Sequence, residues 1–293
     1  MKYLRFNIIL SLFILPISLA FAGEKVNQRI EVPHSEKLFI DITRGFVKVK
    51  SWDKSEISVQ GELDDSVSKL IFKNKKHKTL LKVVAQDGEH WGDSSVLKVF
   101  VPESTQVIFK GVDTTFSFNK IYAGISGKSI TGDIQIKDAR ASLSISTMSG
   151  DVHIEKAIGK VEVESVSGEI DLSGQFEKAA LKSMSGNISA TIGSIDKLKI
   201  KNISGDIEIS GEVQPNAEIK LASVNGNIHF NVAGKLNAVC ELVSQFGGSI
   251  ENSITDDVPQ KSMMQQQLLN FTSGDGSGKI IMKTISGKIT IEE

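Results

Sequence analysis

Residues 147–172, TMSGDVHIEKAIGKVEVESVSGEIDL, contain two copies of one short motif, centred on Gly150 and Gly168. Similar motifs recur from about residue 129 to residue 291: SITGDIQI, TMSGDVHI, SVSGEIDL, SMSGNISA, NISGDIEI, SVNGNIHF, QFGGSIEN and TISGKITI. Their glycines are Gly132, Gly150, Gly168, Gly186, Gly205, Gly226, Gly248 and Gly287, spaced by 18, 18, 18, 19, 21, 22 and 39 residues. Eight copies at a nearly fixed period indicate a repeat architecture.

Apolar and polar residues alternate within each copy, which is the period-2 pattern of a β-strand. Apolar side chains stand two residues after every glycine and, in most copies, seven and five residues before it. A further apolar column stands two residues before the glycines: Ile130, Met148, Val166, Met184, Ile203, Val224, Phe246 and Ile285. We predict that all these columns face the interior and that each glycine lies between two inward residues, at a bend without room for a side chain.

A unit of 18 to 22 residues with one apolar face buries that face only by stacking on a neighbouring copy. The sequence therefore predicts an all-β fold, a parallel β-helix or β-solenoid of about eight coils. We expect an N-terminal β-strand region over residues 23–110, then repeats over residues 111–293 with a polar excursion at about 251–278. Glu292 and Glu293 would place charge on an exposed last strand and discourage end-to-end association.

A polar column follows the glycines: Asp133, Asp151, Glu169, Asn187, Asp206 and Asn227. Stacked about 4.8 Å apart, these side chains could collect divalent cations or present hydrogen-bonding groups to a polymer. Alternatively they satisfy backbone groups of the turns and stay solvated, as Asp and Asn commonly do. The Gly-Gly-x-Gly-x-Asp nonapeptide of calcium-binding β-rolls is absent, so no metal site is predicted here.

Residues 1–22 have the features of a secretory signal: Lys2 and Arg5, an apolar run over residues 8–19, and small residues at 20–22. No later segment approaches the roughly 18 to 20 apolar residues of a spanning helix, so we expect an exported mature chain without a transmembrane segment. Without Lys2 and Arg5 the chain has 32 basic and 35 acidic residues, a balance of −3. This balance excludes the strongly basic surface typical of nucleic-acid-binding proteins.

Signals for catalysis or cofactor binding are weak. The single cysteine, Cys240, excludes an internal disulfide and a thiolate zinc cluster, and it resembles a small buried apolar residue more than a nucleophile. The five histidines form no short ligand spacing, and no GxSxG, HExxH, P-loop or dinucleotide motif is present. No cofactor is predicted. A lysine-rich run at residues 72–78, FKNKKHK, could touch anionic lipid or polysaccharide, or form a solvated hairpin tip.

A family resemblance rests on three features: residues 40–63, IDITRGFVKVKSWDKSEISVQGEL, the VPEST segment at 101–105, and the serial SGDI-like motifs. In these the chain resembles bacterial exported "putative adhesin" β-strand repeat families of unknown function, including relatives named after the head domain of auto-transporter adhesins. The resemblance implies export and a right-handed β-helix, and its adhesin label implies binding at the cell surface. The pattern departs from regularity at Gly247-Gly248, and again where Asn252 replaces an inward aliphatic residue.

Three functions remain open from the sequence. The first is a non-catalytic exported structural or binding module, periplasmic or on the cell surface, that presents polar ladders to an envelope polysaccharide or another envelope protein. The second is a carbohydrate-active enzyme, a polysaccharide lyase or hydrolase, suggested by analogy with other long β-helices, with Asp133, Asp151, Asp171, Asp206 and Glu208 as candidate acids. The third is a periplasmic envelope-stress or assembly factor acting through protein contacts.

Overall fold

The computed structural model describes residues 24–33, 36–85, 94–262 and 265–293, so the predicted signal segment, His34 and His90 lie outside the described residues. Every regular element in the described parts is a β-strand. The strands are β1 Glu24–Glu31, β2 Lys37–Trp52, β3 Glu56–Leu63, β4 Val67–Asn74, β5 Lys78–Ala85, β6 Val96–Pro102, β7 Gln106–Asn119, β8 Ile125–Ser129, β9 Ile134–Lys137, β10 Arg140–Ser149, β11 Val152–Ser167, β12 Ile170–Ser185, β13 Ile188–Ser204, β14 Ile207–Asn225, β15 Ile228–Val232, β16 Ala238–Ser244, β17 Ile250–Asn252, β18 Gln260–Lys261, β19 Gln267–Ser273, β20 Gly278–Ser286 and β21 Ile289–Glu292.

The repeats stack as parallel coils in the register that the motif spacing predicts. Val152 pairs with Ile170, Ile170 with Ile188, and Ile188 with Ile207. Each coil bends at its motif glycine and again about six to nine residues later. In β11 this second bend has Lys156 at φ 55°, Gly159 at φ 126° and two breaks in the register with β12. Two straight segments joined by two corners give each coil two faces, and the predicted β-solenoid is confirmed.

The interior is one continuous apolar cluster from Val26 to Ile291. The apolar columns two residues after, and seven and five residues before, the glycines are buried as predicted. At the N-terminal end β2 pairs in parallel with β5, β6 and β7, and the antiparallel strands β1, β3 and β4 extend the two sheets from there. β7 also pairs in parallel with β8 and with β9, and it thereby joins the N-terminal strands to the first coil of the repeats.

The last repeat of the chain does not lie at the end of the stack, contrary to the expectation that Glu292 and Glu293 close an exposed final strand. β20 pairs with β14 on one side and with β16 on the other, and β21 lies between β15 and β17. The coil containing Gly287 is therefore inserted between the coils of Gly226 and Gly248. Within the excursion at residues 251–278, β19 pairs antiparallel with β16 and so covers the end of the stack.

The apolar column two residues before the glycines points outward, so the prediction that it faces the interior is wrong. Met148 and Met184 are 56% and 53% exposed. The physical reason is strand alternation. The positions seven and five residues before the glycine point inward, so the position three residues before it also points inward and the position two residues before it points outward. That inward column is polar: Ser129, Thr147, Ser165, Ser183, Asn202, Ser223 and Thr284, all buried.

The buried polar column serves the bend at the glycine corner. Thr284 Oγ1 donates to the carbonyl oxygen of Gly226 at 3.1 Å, and Asn202 Nδ2 donates to the carbonyl oxygens of Gly186 and Gly205 at 2.9 and 3.0 Å. Carbonyl groups freed by the sharp turn therefore find donors inside the coil. Ser165, Ser183 and Ser223 make no such bond, since their buried hydroxyl groups have no hydrogen-bond partner in the described part of the chain. Strand alternation alone therefore places this column inward and the apolar side chain that follows it on the surface.

Candidate functional site

The six residues predicted as a ligand-facing ladder, Asp133, Asp151, Glu169, Asn187, Asp206 and Asn227, lie one above another just after the glycine corner. Five of their side chains hold the backbone of the next coil. Asp133 Oδ1 accepts the N–H of Asp151 at 3.0 Å, and Asp151 Oδ1 accepts the N–H of Glu169 at 2.8 Å. Asn187 and Asp206 accept equivalent bonds from the coils above them, at 3.0 and 2.8 Å. Asn227 continues the series to Lys288 at 2.9 Å. The geometry thus gives these residues a structural role, and binding by them stays a prediction.

Replacing Asp151 tests that structural role. Asp151→Asn keeps an oxygen acceptor for the Glu169 N–H, so we expect almost no change in stability. Asp151→Ala removes the acceptor and should lower the free energy of unfolding by roughly 1 kcal/mol. Urea denaturation of both variants and the parent measures the difference. Equal losses for the two variants would show that the carboxylate charge, and not the hydrogen bond, matters.

The outward apolar column forms a surface that we call the apolar ridge: Val112, Ile130, Met148, Val166, Met184, Ile203, Val224 and Ile285. The position of Val112 follows from the register, since Lys110 pairs with Lys128 and Asp113 with Thr131. Seven of the eight side chains are between 38% and 56% exposed, and Val224 is half-buried. At about 4.8 Å per coil the ridge is roughly 34 Å long. A row of this length is unlike the scattered exposed apolar residues of an ordinary surface.

Beside the ridge, the strand segments that precede the glycines present what we call the lysine face. This face consists of the outward residues four, six and eight positions before the glycines and of the residues that pair with them in the neighbouring coils. Among the described residues it contains eleven lysines and four glutamates. The lysines are Lys110, Lys128, Lys160, Lys178, Lys182, Lys197, Lys199, Lys201, Lys220, Lys279 and Lys283, and the glutamates are Glu162, Glu164, Glu218 and Glu241.

Ion pairs neutralise only part of the lysine face. Lys182 pairs with Glu164, and this hydrogen bond raises the pKa of the Lys182 ammonium group above its ordinary value. Lys220 likewise pairs with Glu218, and its hydrogen bond lowers the pKa of the Glu218 carboxyl group. Lys283 pairs with Glu241 at 2.6 Å and Lys160 with Glu177 at 3.9 Å. Within the described ranges no ion pair forms at the remaining lysines of this face: Lys110, Lys128, Lys178, Lys197, Lys199, Lys201 and Lys279.

A shallow groove of about 390 Å³ runs between the ridge and the nearest row of lysines. Val166, Met184 and Ile203 line one side, and Lys182 and Lys201 line the other. The groove contains one carboxylate, Glu164, which is already paired with Lys182. An apolar side next to a cationic side suits a ligand that is apolar in one part and anionic in another.

The opposite face of the repeats has a different charge. Its outward residues three and five positions after the glycines include one lysine, Lys137, among five acidic residues: Glu155, Asp171, Glu208, Glu251 and Glu292. Of the candidate acids for an enzyme, Asp171 and Glu208 lie on this face with Ser189 of the intervening coil between them. The other three candidates belong to the polar ladder after the glycines.

Histidines on the opposite face pair with carboxylates. His153 Nδ1 is 3.6 Å from Asp171 Oδ2, and His229 Nε2 is 2.8 Å from Glu292 Oε1. Across the described residues, no group of three or more histidine, cysteine or acidic side chains is arranged to hold a metal ion. The same residues include no helix of the length and apolar character needed to cross a membrane.

Two features singled out from the sequence, the lysine-rich run and Cys240, lie away from the lysine face. The Lys75–Lys78 segment joins β4 to β5, with backbone bonds in both directions between Lys75 and Lys78, so the basic run is an exposed hairpin tip. Cys240 is fully buried in β16, as predicted. Burial raises the pKa of its thiol to about 12.

The buried thiol leads to a test of the end of the stack. A thiol with a pKa of about 12 is almost entirely protonated at neutral pH, and the thiolate is the reactive form. Cys240 should therefore resist a thiol-specific reagent in the native protein and react at once in urea. Because β16 lies near the end of the stack, labelling at sub-denaturing urea reports whether this end opens before the rest. Rapid labelling without denaturant would contradict the buried position.

A family model described as Toastrack DUF4097 matches residues 35–292, which is most of the chain. The chain belongs to the Toastrack DUF4097 family. The resemblance stated from the sequence is thus confirmed for the family, and the match covers the strands from β2 onward, with all eight coils of this Toastrack chain. No curated protein matches it.

Several solved structures are similar to this Toastrack chain at low identity. One is a "putative adhesin" from Bacteroides fragilis, 14% identical, with a TM-score of 0.42, covering 92% of this chain and 97% of that one. Another is a "putative lipid binding protein" from Parabacteroides distasonis, 11% identical, with a TM-score of 0.38, covering 92% and 98%. A third is a "putative cell adhesion protein" from Clostridium sporogenes, 10% identical, with a TM-score of 0.22, covering 92% and 99%. Likenesses this distant carry no functional conclusion, so the proposals below rest on this chain's own residues.

Proposed function

We propose that this chain is a non-catalytic, exported, adhesin-like module that binds a component of the cell envelope through its lysine face and apolar ridge. The single observation that carries the proposal is the ridge, where seven side chains in register are more than a third exposed. Apolar rows on the outer face of a sheet promote aggregation unless a partner covers them. A ridge repeated over eight coils therefore indicates a partner that extends along the stack.

The chemistry of the surface favours binding over catalysis. The groove beside the ridge contains a single carboxylate, and a lysine neutralises it. Acid–base hydrolysis of a glycoside needs two carboxyl groups placed across the substrate, in environments that separate their pKa values. The acidic candidates lie instead in a ladder that bonds to backbone N–H groups and on the opposite face.

The test is co-sedimentation with the envelope fraction of the organism that encodes the chain. The ridge variant Met148→Ser/Met184→Ser removes two exposed side chains from the ridge, and Val96→Ser/Ile158→Ser is the matched control, since Val96 and Ile158 are 45% and 50% exposed but lie off the ridge. We expect the parent and the control to sediment with the envelope and the ridge variant to stay largely in the supernatant. Sedimentation of the ridge variant equal to that of the parent would contradict the proposal, as would a parent that does not sediment.

A further inference from the structure

The distribution of charge on the lysine face restricts what can cover the ridge. The three outward rows of the lysine face contain eleven lysines and four glutamates. The opposite face of the same coils contains one lysine and five acidic residues. The repeat coils are therefore polarised across their thickness, whereas Lys48, Lys50 and Lys98 of β2 and β6 continue the opposite face at the N-terminal end. A partner that lies on the ridge and extends over the neighbouring rows must be anionic there.

The residue types restrict the partner further. The ridge from Val112 to Ile285 is made of valine, isoleucine and methionine only. The one aromatic residue of the predicted column, Phe246, is 72% exposed in the coil beyond Ile285, so the ridge has no row of aromatic rings on which successive sugars could stack. The three rows of the lysine face contain no arginine, the residue that binds carboxylate and phosphate groups in fixed bidentate geometry. Lysine is a point charge on a flexible stem, so these rows suit a partner whose anionic groups have no fixed positions, as in a fluid surface.

We propose that the partner of the apolar ridge and the lysine face is the surface of an anionic lipid bilayer, an inference that rests on the binding function proposed above. The solenoid lies along the bilayer with its ridge at the boundary between headgroups and acyl chains, as the apolar side of an interfacial helix does. The lysines beside the ridge contact the phosphates of the headgroups. The groove of about 390 Å³ takes up part of an acyl chain between Met184 and Lys201.

The acidic ladder limits how the solenoid can lie on the lipid. Asp133, Asp151 and Asp206 follow the ridge across the glycine corner, and each gives one oxygen to a backbone N–H of the next coil. An anionic surface repels the remaining charge of these carboxylates. The solenoid is therefore rotated about its long axis so that the lysine face, and not the acidic ladder, lies against the headgroups. The ridge is the edge that enters the lipid.

Vesicle sedimentation with purified full-length mature protein tests the inference. One set of vesicles contains phosphatidylcholine alone, and the other contains equal parts of phosphatidylcholine and phosphatidylglycerol. We expect the parent to bind the anionic vesicles and not the neutral ones, and added salt to release it because exposed charges are screened. Equal binding to both kinds of vesicle, or binding to neither, would overturn the inference.

Two matched pairs of variants separate charge from apolar insertion. Lys128→Gln/Lys199→Gln/Lys201→Gln removes three lysines of the lysine face that form no ion pair among the described residues. Its control Lys48→Gln/Lys50→Gln/Lys98→Gln removes three exposed lysines from the other face. The first should weaken binding to anionic vesicles on the order of 100-fold and the control should not. Met148→Ser/Met184→Ser should weaken it roughly 10-fold, and Val96→Ser/Ile158→Ser should leave it unchanged.

The outcomes keep the two proposals distinct. Parent protein that sediments with the envelope fraction but with neither kind of vesicle overturns the bilayer and leaves the binding function in place, with a protein or glycan as partner. Equal weakening by the lysine-face triple variant and its control also overturns the bilayer proposal, since it shows only a dependence on total charge. All variants are exposed substitutions, so unchanged circular dichroism and melting temperature check that each one is folded.

Discussion

Gly186→Ala is expected to lower the free energy of unfolding by about 3–5 kcal/mol, because a methyl group at this corner has no space. A Cβ at Gly186 would lie 2.2 Å from the carbonyl oxygen and 2.8 Å from the carbonyl carbon of Gly168 in the adjacent coil. The backbone is also at φ +134°, which L side chains rarely adopt. Gly168 cannot move away, since its own corner lies against Gly150 in the same manner. Urea denaturation followed by far-ultraviolet circular dichroism measures the loss.

Two other glycines serve as controls for this prediction. At Gly193 the nearest atom to a new Cβ is Gln175 Cγ at 3.6 Å, so Gly193→Ala should change stability by less than about 0.5 kcal/mol. At Gly234 a Cβ meets nothing within 4 Å but φ is +80°, so Gly234→Ala should cost only about 1 kcal/mol for the backbone conformation. If Gly186→Ala unfolds at the same urea concentration as Gly193→Ala, the close contact between the coils is not the reason why glycine is required in this column.

The solenoid could be predicted from the sequence because its determinants are local and repeated. Columns such as Val152, Ile170 and Ile188 recur at the coil period with strand alternation, and this alone specifies which neighbours stack. The insertion of the Gly287 coil between those of Gly226 and Gly248 could not be predicted in this way. Its motif matches the others, and its place depends on how β19 crosses the end of the stack before β20 begins.

Two features of the sequence conceal the surface proposed for binding. One of them, the polar column three residues before the glycines, also contains the information that reveals it. Ser165, Ser183 and Asn202 occupy the position that follows the buried columns in strict alternation, so a count by twos would have placed the next residue outward. The lysine face was hidden because the charges of the whole chain nearly cancel. Segments such as KLKIKN at residues 197–202 carry their lysines in the outward phase, and only the fold brings those rows together on one face.

Ile188→Asp and Met184→Asp, the same kind of change four residues apart, should have very different effects on stability. Ile188 is fully buried and stacks between Ile170 and Ile207 in the neighbouring coils. An aspartate there would place an unpaired carboxylate in the apolar interior, so we expect a loss of more than about 5 kcal/mol and no folded solenoid. Met184 is 53% exposed on the apolar ridge, and Met184→Asp should stay within about 0.5 kcal/mol of the parent.

Melting temperatures of the two variants decide whether the apolar column before the glycines belongs to the core or to the surface. If Met184→Asp unfolds as Ile188→Asp does, the ridge is part of the interior and both proposed binding functions lose their basis. If Met184→Asp melts with the parent, the chain keeps methionine at a position where stability does not require it. Because an exposed aliphatic row carries a risk of aggregation, its presence along eight coils is then explained by what it binds.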